Sequence, residues 1–185
     1  MDNGASSYRR FLCGDDQGMV EIIRDYKDGL TLYLNGFVHN IFTAEELMEE
    51  TFFKLATKKP RFSGERNFKA WLYTIGRNVA LDHLRRQKKF SPAPIEDYAT
   101  LLVEEESVEA AYLREEQKIQ VHRALRALCA EYRQVLYLVF FEEFTNQETA
   151  MAMGKSKRQI ENLLYRAKGA LKAELEKEGF VYEAL

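Results

Sequence analysis

The sequence predicts an all-α protein made of two small helical domains joined by a flexible linker. Three observations carry that expectation. Apolar residues recur at helical spacing along nearly the whole chain. The prolines stand only at 60, 92 and 94, and no Asn-Gly or Asp-Gly pair falls between alternating strand patterns. Charge is also segregated: between Lys54 and Lys89 the only acids are Glu65 and Asp82, whereas acids dominate from Glu96 to Glu116. A net charge of −2 over 185 residues therefore conceals one basic face and a separate acidic connector. With 46% hydrophobic and 30% charged residues, the chain has the composition of a folded protein rather than a disordered one.

The first helix is expected over residues 16–26, with Met19, Val20, Ile22 and Ile23 as its apolar set, and a second over 29–41, through Leu30, Tyr33, Leu34 and Phe37. Thr43 with Glu46 reads as a capping box, in which the Thr oxygen accepts a backbone N–H and the Glu reaches back. It would open a third helix through Leu47, Phe52, Phe53 and Leu55 that stops near Pro60. A fourth helical stretch follows over 61–89, after the aromatic-flanked turn Phe62-Ser63-Gly64. There Phe68, Leu72, Ile75 and Val79 can face a core, while Lys69, Tyr73, Arg77 and Asn78 fall on other faces, ahead of a tail containing Arg85 and Arg86. Cations interleaved with rings suit nucleic acid, because cations neutralise phosphates and rings stack on unpaired bases. A plain helix with a solvated basic face shows the same pattern, so the neighbouring segments must decide.

Pro92 and Pro94 stop that helix, since proline lacks the N–H and disfavours helix at the residue before it. The acidic stretch that follows reads as a tether; fully extended, residues 91–110 reach up to about 65–70 Å. The domains are thus expected at 1–90 and 111–185, with the linker at 91–110. In the second, Leu113, Ile119, Val121, Leu125 and Leu128 mark one helix, and Tyr132, Val135, Leu136, Leu138 and Val139 the next. Thr145 with Glu148 is a capping box, Gly154 a left-handed helix end, and Ser156 with Gln159 a further cap. Short helix, glycine turn and capped polar helix make a helix-turn-helix pattern. On its last helix Ile160, Leu163, Leu164, Ala167 and Leu171 face inward, which leaves Lys157, Arg158, Gln159, Glu161, Asn162, Tyr165 and Arg166 outside. Arg can address guanine, and Gln or Asn adenine, in the major groove.

Other chemistries find little support. Cys13 and Cys129 lie far apart and are expected as small buried or half-buried apolar residues, not as a disulfide. His39, His83 and His122 have no metal-ligand spacing and no Gly-rich phosphate loop is present, so no cofactor, metal or catalytic residue is expected. The N-terminal stretch has no apolar signal-like core and no apolar run reaches the length of a membrane span, which points to a cytoplasmic protein without membrane insertion.

Taken together, AEELMEETFFKLA, RFSGERNFKAWLYTIGRNVALDHLRR and LRALCAEYRQVLYLVFFEEFTNQETAMAMGKSKRQIENLLYRAKGAL resemble bacterial RNA polymerase sigma factors of the extracytoplasmic-function (ECF) type, in order and spacing. The resemblance implies a region 2 helical bundle that binds core polymerase and opens the −10 promoter element, and a region 4 helix-turn-helix that reads the −35 element. It implies polymerase contacts at Glu45, Glu46, Leu47, Glu49, Glu50, Phe52 and Phe53, with Glu49 standing where glutamine is common. It implies −10 contacts at Phe62, Ser63, Arg66, Asn67, Lys69, Arg77, Asn78, Arg85 and Arg86, and −35 contacts at Lys157, Arg158, Gln159, Asn162 and Arg166. Trp71 stays open between a core residue and a base-stacking wedge. The implied partners are core polymerase, promoter DNA and an anti-sigma factor. Lys155, Glu161 and Leu163 depart from the family's usual choices, and Cys129 replaces its usual entry proline, so a −35 sequence preference cannot be carried over. The competing reading is a free-standing helix-turn-helix regulator that binds duplex DNA without polymerase; an acidic–aromatic helix and a stacking-rich first domain are features it does not need.

Overall fold

The computed structural model describes residues 4–64, 67–90, 121 and 123–177, and the described residues contain helices and no strand. The chain opens with a helix that the sequence pattern does not announce, α1 (Ala5–Leu12). Its two anchors, Tyr8 and Phe11, are buried, and the Tyr8 hydroxyl donates to the Pro60 carbonyl at 2.8 Å. Burial pushes that phenol's pKa up to about 12. The expected helices at 16–26 and 29–41 are one continuous element, α2 (Gln17–Val38). Gly29 does not break it, because a helix interior tolerates glycine at a cost of about 1 kcal/mol when packing requires the space.

The third helix, α3 (Ile41–Lys58), begins two residues before the expected cap. Asn40 is its N-cap, and its side-chain oxygen accepts from the Thr43 N–H at 3.1 Å. Thr43 is therefore already helical, and the Thr43–Glu46 capping box is not the start. The helix ends at Lys59, a left-handed residue with φ of 43°, just before Pro60. The fourth, α4 (Phe68–Phe90), is entered through Asn67, whose side-chain oxygen accepts from the Ala70 N–H at 3.3 Å. Leu30, Tyr33, Leu34, Leu55, Phe68, Leu72 and Tyr73 fill the core between these helices.

In the second lobe, α5 (Ala130–Phe140), α6 (Asn146–Met153) and α7 (Lys157–Lys177) follow in order. Of the helix expected through Leu113 to Leu128, the described part, residues 121 and 123–127, is helical. The expected linker, residues 91–110, lies outside the described residues. Cys13 and Cys129 are free and exposed rather than buried, since each sits at a helix boundary facing solvent. The two lobes do not stand apart: α2 packs on α5, and α4 packs on α6.

One crossing yields a stability prediction. A Cβ at Gly18 would lie 2.2 Å from the Ser7 carbonyl oxygen and 2.9 Å from the Phe11 nitrogen, both backbone atoms of α1. Gly18→Ala should therefore destabilise the chain, because overpacking costs about 1–3 kcal/mol and outweighs the gain of about 1 kcal/mol in helix propensity. Circular dichroism melting should show a midpoint lowered by several degrees; a raised midpoint would contradict the tight α1–α2 crossing.

Candidate nucleic-acid interface

Three surfaces carry the residues singled out above. On α3, helical spacing divides the candidates. Leu47 and Phe52 are 2% and 5% exposed and belong to the core, so they position the surface without forming it. Glu45, Glu46 and Glu49 are exposed, and Glu50 pairs with Lys54 at 2.7 Å. Phe53 is 67% exposed and Phe42, which sequence reasoning missed, is 75% exposed. Positions 42, 46, 49 and 53 repeat at steps of four, three and four, so they share one face. The result is an acidic stripe with an aromatic ring at each end.

The second surface is the helix-turn-helix. Thr145 caps α6: its hydroxyl accepts from the Glu148 N–H at 3.3 Å, and the Glu148 carboxylate accepts from the Thr145 N–H at 2.8 Å. Gly154 ends α6 with φ of 63° and sets the turn. Ser156 and Gln159 then cap α7 reciprocally, at 3.3 and 2.7 Å. Ile160 and Ala167 hold α7 in the core, with Leu163 and Leu164 half-buried beside them. Lys157, Arg158, Gln159, Asn162 and Arg166 are exposed as the spacing requires. Lys155, Gln159, Asn162 and Arg166 line one open groove floored by Leu163. Gln159 nevertheless commits its side-chain oxygen to the Ser156 N–H, which leaves only its amide N–H groups for a base edge.

The third surface is α4. Phe62 is turned inward, with ring centroids 5.5 Å from Phe68 and 5.0 Å from Trp71, while Ser63 is exposed. Trp71 also packs 5.4 Å from Tyr8 and 5.5 Å from Phe68, so it is built into the aromatic core. Arg66 lies outside the described residues. Asn78, Arg85 and Arg86 are exposed, with Arg85 paired to Asp82 at 2.9 Å. Asn67, Lys69 and Arg77 are instead engaged by the second lobe. Lys69 Nζ lies 2.6 Å from a Glu142 carboxylate oxygen, the Asn67 amide donates to Glu148, and Arg77 lies against Gly154. Thr74 donates to the Met151 carbonyl at 3.3 Å on the same face.

Glu148 thus serves two elements at once. Desolvation acts to raise its pKa but is outweighed by hydrogen bonds from the Thr145 backbone and hydroxyl and from Asn67, with help from the Lys69 charge, so the carboxyl titrates below its ordinary range. A depressed folded-state pKa contributes stability above the unfolded-state value, and that contribution disappears as pH falls through the folded value. The melting-point advantage of the natural chain over Glu148→Gln should therefore be full at neutral pH and vanish on acidification below the ordinary glutamate range. An advantage unchanged by acid would remove this role.

Comparisons with known proteins place the chain in a family. Residues 22–90 match the family model Sigma-70 region 2, and residues 118–171 match Sigma-70, region 4. The chain is 28% identical over 158 residues to the RNA polymerase sigma factor YlaC of Bacillus subtilis, covering 85% of this chain and 91% of that relative. It is 28% identical over 166 residues to the RNA polymerase sigma-H factor of Pseudomonas aeruginosa, covering 85% and 86%. In fold it is similar to CnrH, solved with the cytosolic domain of CnrY, at a TM-score of 0.67, 20% identity and coverage of 96% and 99%. It is also similar to the sigma factor RpoE of Bartonella quintana, solved with the anti-sigma factor NepR, at a TM-score of 0.69, 22% identity and coverage of 84% and 95%.

Proposed function

This chain belongs to the RNA polymerase sigma factors of the ECF type and is a promoter-specificity subunit; from that premise we propose how its surfaces divide the work. The α3 stripe of Phe42, Glu46, Glu49 and Phe53, with Glu45 at its edge, binds a basic and apolar surface of core polymerase. The α4 face, through Asn67, Lys69, Arg77, Asn78, Arg85 and Arg86, meets the −10 element and favours its open form. The outer face of α7, through Lys157, Arg158, Asn162 and Arg166, reads the −35 element, and Gln159 chiefly holds the start of that helix. The domain division at 1–90 and 111–185, with 91–110 between, follows the same assignment. The chain contributes recognition and strand opening without catalysis of its own, and it acts in the cytoplasm, where its polymerase is. A partner like the anti-sigma factor found with RpoE holds it inactive.

One observation carries this reading: a single chain presents an exposed acidic–aromatic stripe in addition to two helices, α4 and α7, that carry cations and amides. A repressor that needs only duplex DNA has no use for the first. The opening role is tested with Asn78→Ala combined with Asn67→Ser, since serine can still cap α4. Extruding a base costs a few kcal/mol, which contacts to that base must offset. The variant should open duplex promoter slowly, and a template mispaired across the −10 element should restore most of the rate, as read by permanganate reactivity of unpaired thymines. Equal defects on both templates would leave these residues as structural supports.

For the −35 element, Arg158→Ala should relax base preference, because a direct base contact is worth about 1–3 kcal/mol of discrimination. Arg166→Ala should instead lower affinity evenly across sequences and reduce the salt slope. Competition binding by the polymerase holoenzyme on promoter variants separates the two. Unchanged preference and unchanged affinity in both variants would mean that α7 is not the reading helix.

A further inference from the structure

The contact between the lobes falls on three of the residues proposed above for the −10 element, Asn67, Lys69 and Arg77. Glu142, in the turn after α5, has a side chain only 8% exposed, and its carboxylate lies 2.6 Å from Lys69 Nζ. Lys69 Nζ also reaches the Glu142 carbonyl at 3.3 Å. Glu148 takes the Asn67 amide, and the Gly154 turn sits against Arg77. Two carboxylates of the second lobe thus satisfy a cation and an amide that would otherwise face a phosphate and a base edge. Anions in these positions compete directly with DNA.

The rest of the contact is built to hold them there. A Cβ on Gly29 would lie 2.6 Å from the Glu142 carboxylate and 2.6 Å from the Tyr73 hydroxyl, so the absent side chain makes the socket. The Tyr137 hydroxyl donates to the Gly29 carbonyl at 3.1 Å, and the Tyr73 and Phe144 rings meet edge-on at 5.4 Å. Across the same contact Arg133 Nη2 lies 2.6 Å from His39 Nε2. Buried apolar residues of both lobes join in one cluster, and polar fastenings ring it; groups of that kind can be exchanged for a competing ligand's.

We infer that the second lobe is an intramolecular lid over the −10-reading face of the first, latched by Glu142 on Lys69 and Glu148 on Asn67 and opened when DNA or polymerase competes for these groups. The inference rests on the assignment of Asn67, Lys69 and Arg77 to DNA. While the lid is closed, apparent affinity for nucleic acid is lowered by the fraction of molecules that are open. Removing the latch charge leaves Lys69 without its anion, and that shifts the closed–open ratio by about tenfold or more.

The test uses the full chain with its exposed cysteines replaced, Cys13→Ser and Cys129→Ser, and spin labels at Lys58→Cys and Lys172→Cys, one exposed site on each lobe. Electron-electron resonance should give one narrow distance for the otherwise natural chain. Glu142→Gln with Glu148→Gln should give a broad, longer distribution. The same variant should bind a labelled pool of random-sequence single-stranded DNA about tenfold more tightly, with a salt slope steeper by about 0.7 for each additional phosphate neutralised. Gly29→Ala with Tyr73→Phe repeats the test by sterics: alanine favours helix, the lost hydroxyl spares the first lobe, and the new methyl still meets Glu142. Unchanged helical circular dichroism in both variants shows that the fold survives. A broad distance in the natural latch, or a distance that neither variant moves, overturns the latch. Opening without any increase in DNA binding refutes the −10 assignment, and the lid falls with it.

Discussion

Reversing both charges in Glu46→Lys with Glu49→Lys should weaken binding to core polymerase by about 100-fold or more, since placing like charges together across an interface costs several kcal/mol. Both residues lie on the exposed face of α3 between Phe42 and Phe53, and neither has an ion-pair partner among the described residues. Glu50 is a poorer target because it already pairs with Lys54 at 2.7 Å. Exposed helix charges contribute little to stability, so the variant should fold and melt like the natural chain. Titration of labelled polymerase checks the affinity and circular dichroism checks the fold. Natural affinity in a folded variant would remove α3 from the interface.

Phe68→Ala should have the largest effect on stability. Its ring is fully buried at the start of α4 and packs on Tyr8, Tyr26, Phe62 and Trp71 at centroid distances of 5.6, 5.9, 5.5 and 5.5 Å. Truncating a buried phenylalanine costs about 3–5 kcal/mol, which takes a large share of a typical stability of about 5–15 kcal/mol. At roughly 2–4 °C per kcal/mol, the melting midpoint should fall by roughly 6–20 °C. Trp71 is the single tryptophan, so its emission reports the cluster directly and should shift to the red. A midpoint within a degree of the natural one would contradict the aromatic core as described.

The parts of this molecule legible in sequence are those decided within a few residues. The Thr145–Glu148 and Ser156–Gln159 caps and the Gly154 turn form as read, because each is closed by partners three residues apart or by one residue's φ. The outward set on α7 follows from its spacing alone. Where two local solutions compete, sequence misleads: Asn40 takes the cap that Thr43 would provide, and the helix begins three residues early. On α3 the family pattern names a contiguous stretch, whereas helical geometry turns Leu47 and Phe52 inward and brings Phe42 into the exposed stripe.

What depends on distant partners is not legible. α1 has only Tyr8 and Phe11 as anchors, and their burial depends on Pro60 and Phe68, far along the chain. Gly29 looks like a break between helices in the sequence, yet its function is to leave space for Glu142, more than a hundred residues later. The closure of one lobe on the other has no local signal at all. Asn67, Lys69 and Arg77 all meet the second lobe, but nothing near them in sequence announces that it covers them.

Run-off transcription with core enzyme on fragments of its own genome shows whether this chain lends promoter specificity to polymerase. Discrete transcripts are expected only when core polymerase and this chain are both present, with weak and unspecific duplex binding by the chain alone. Tight sequence-specific duplex binding by the free chain, with no new transcript when core polymerase is added, would contradict that role.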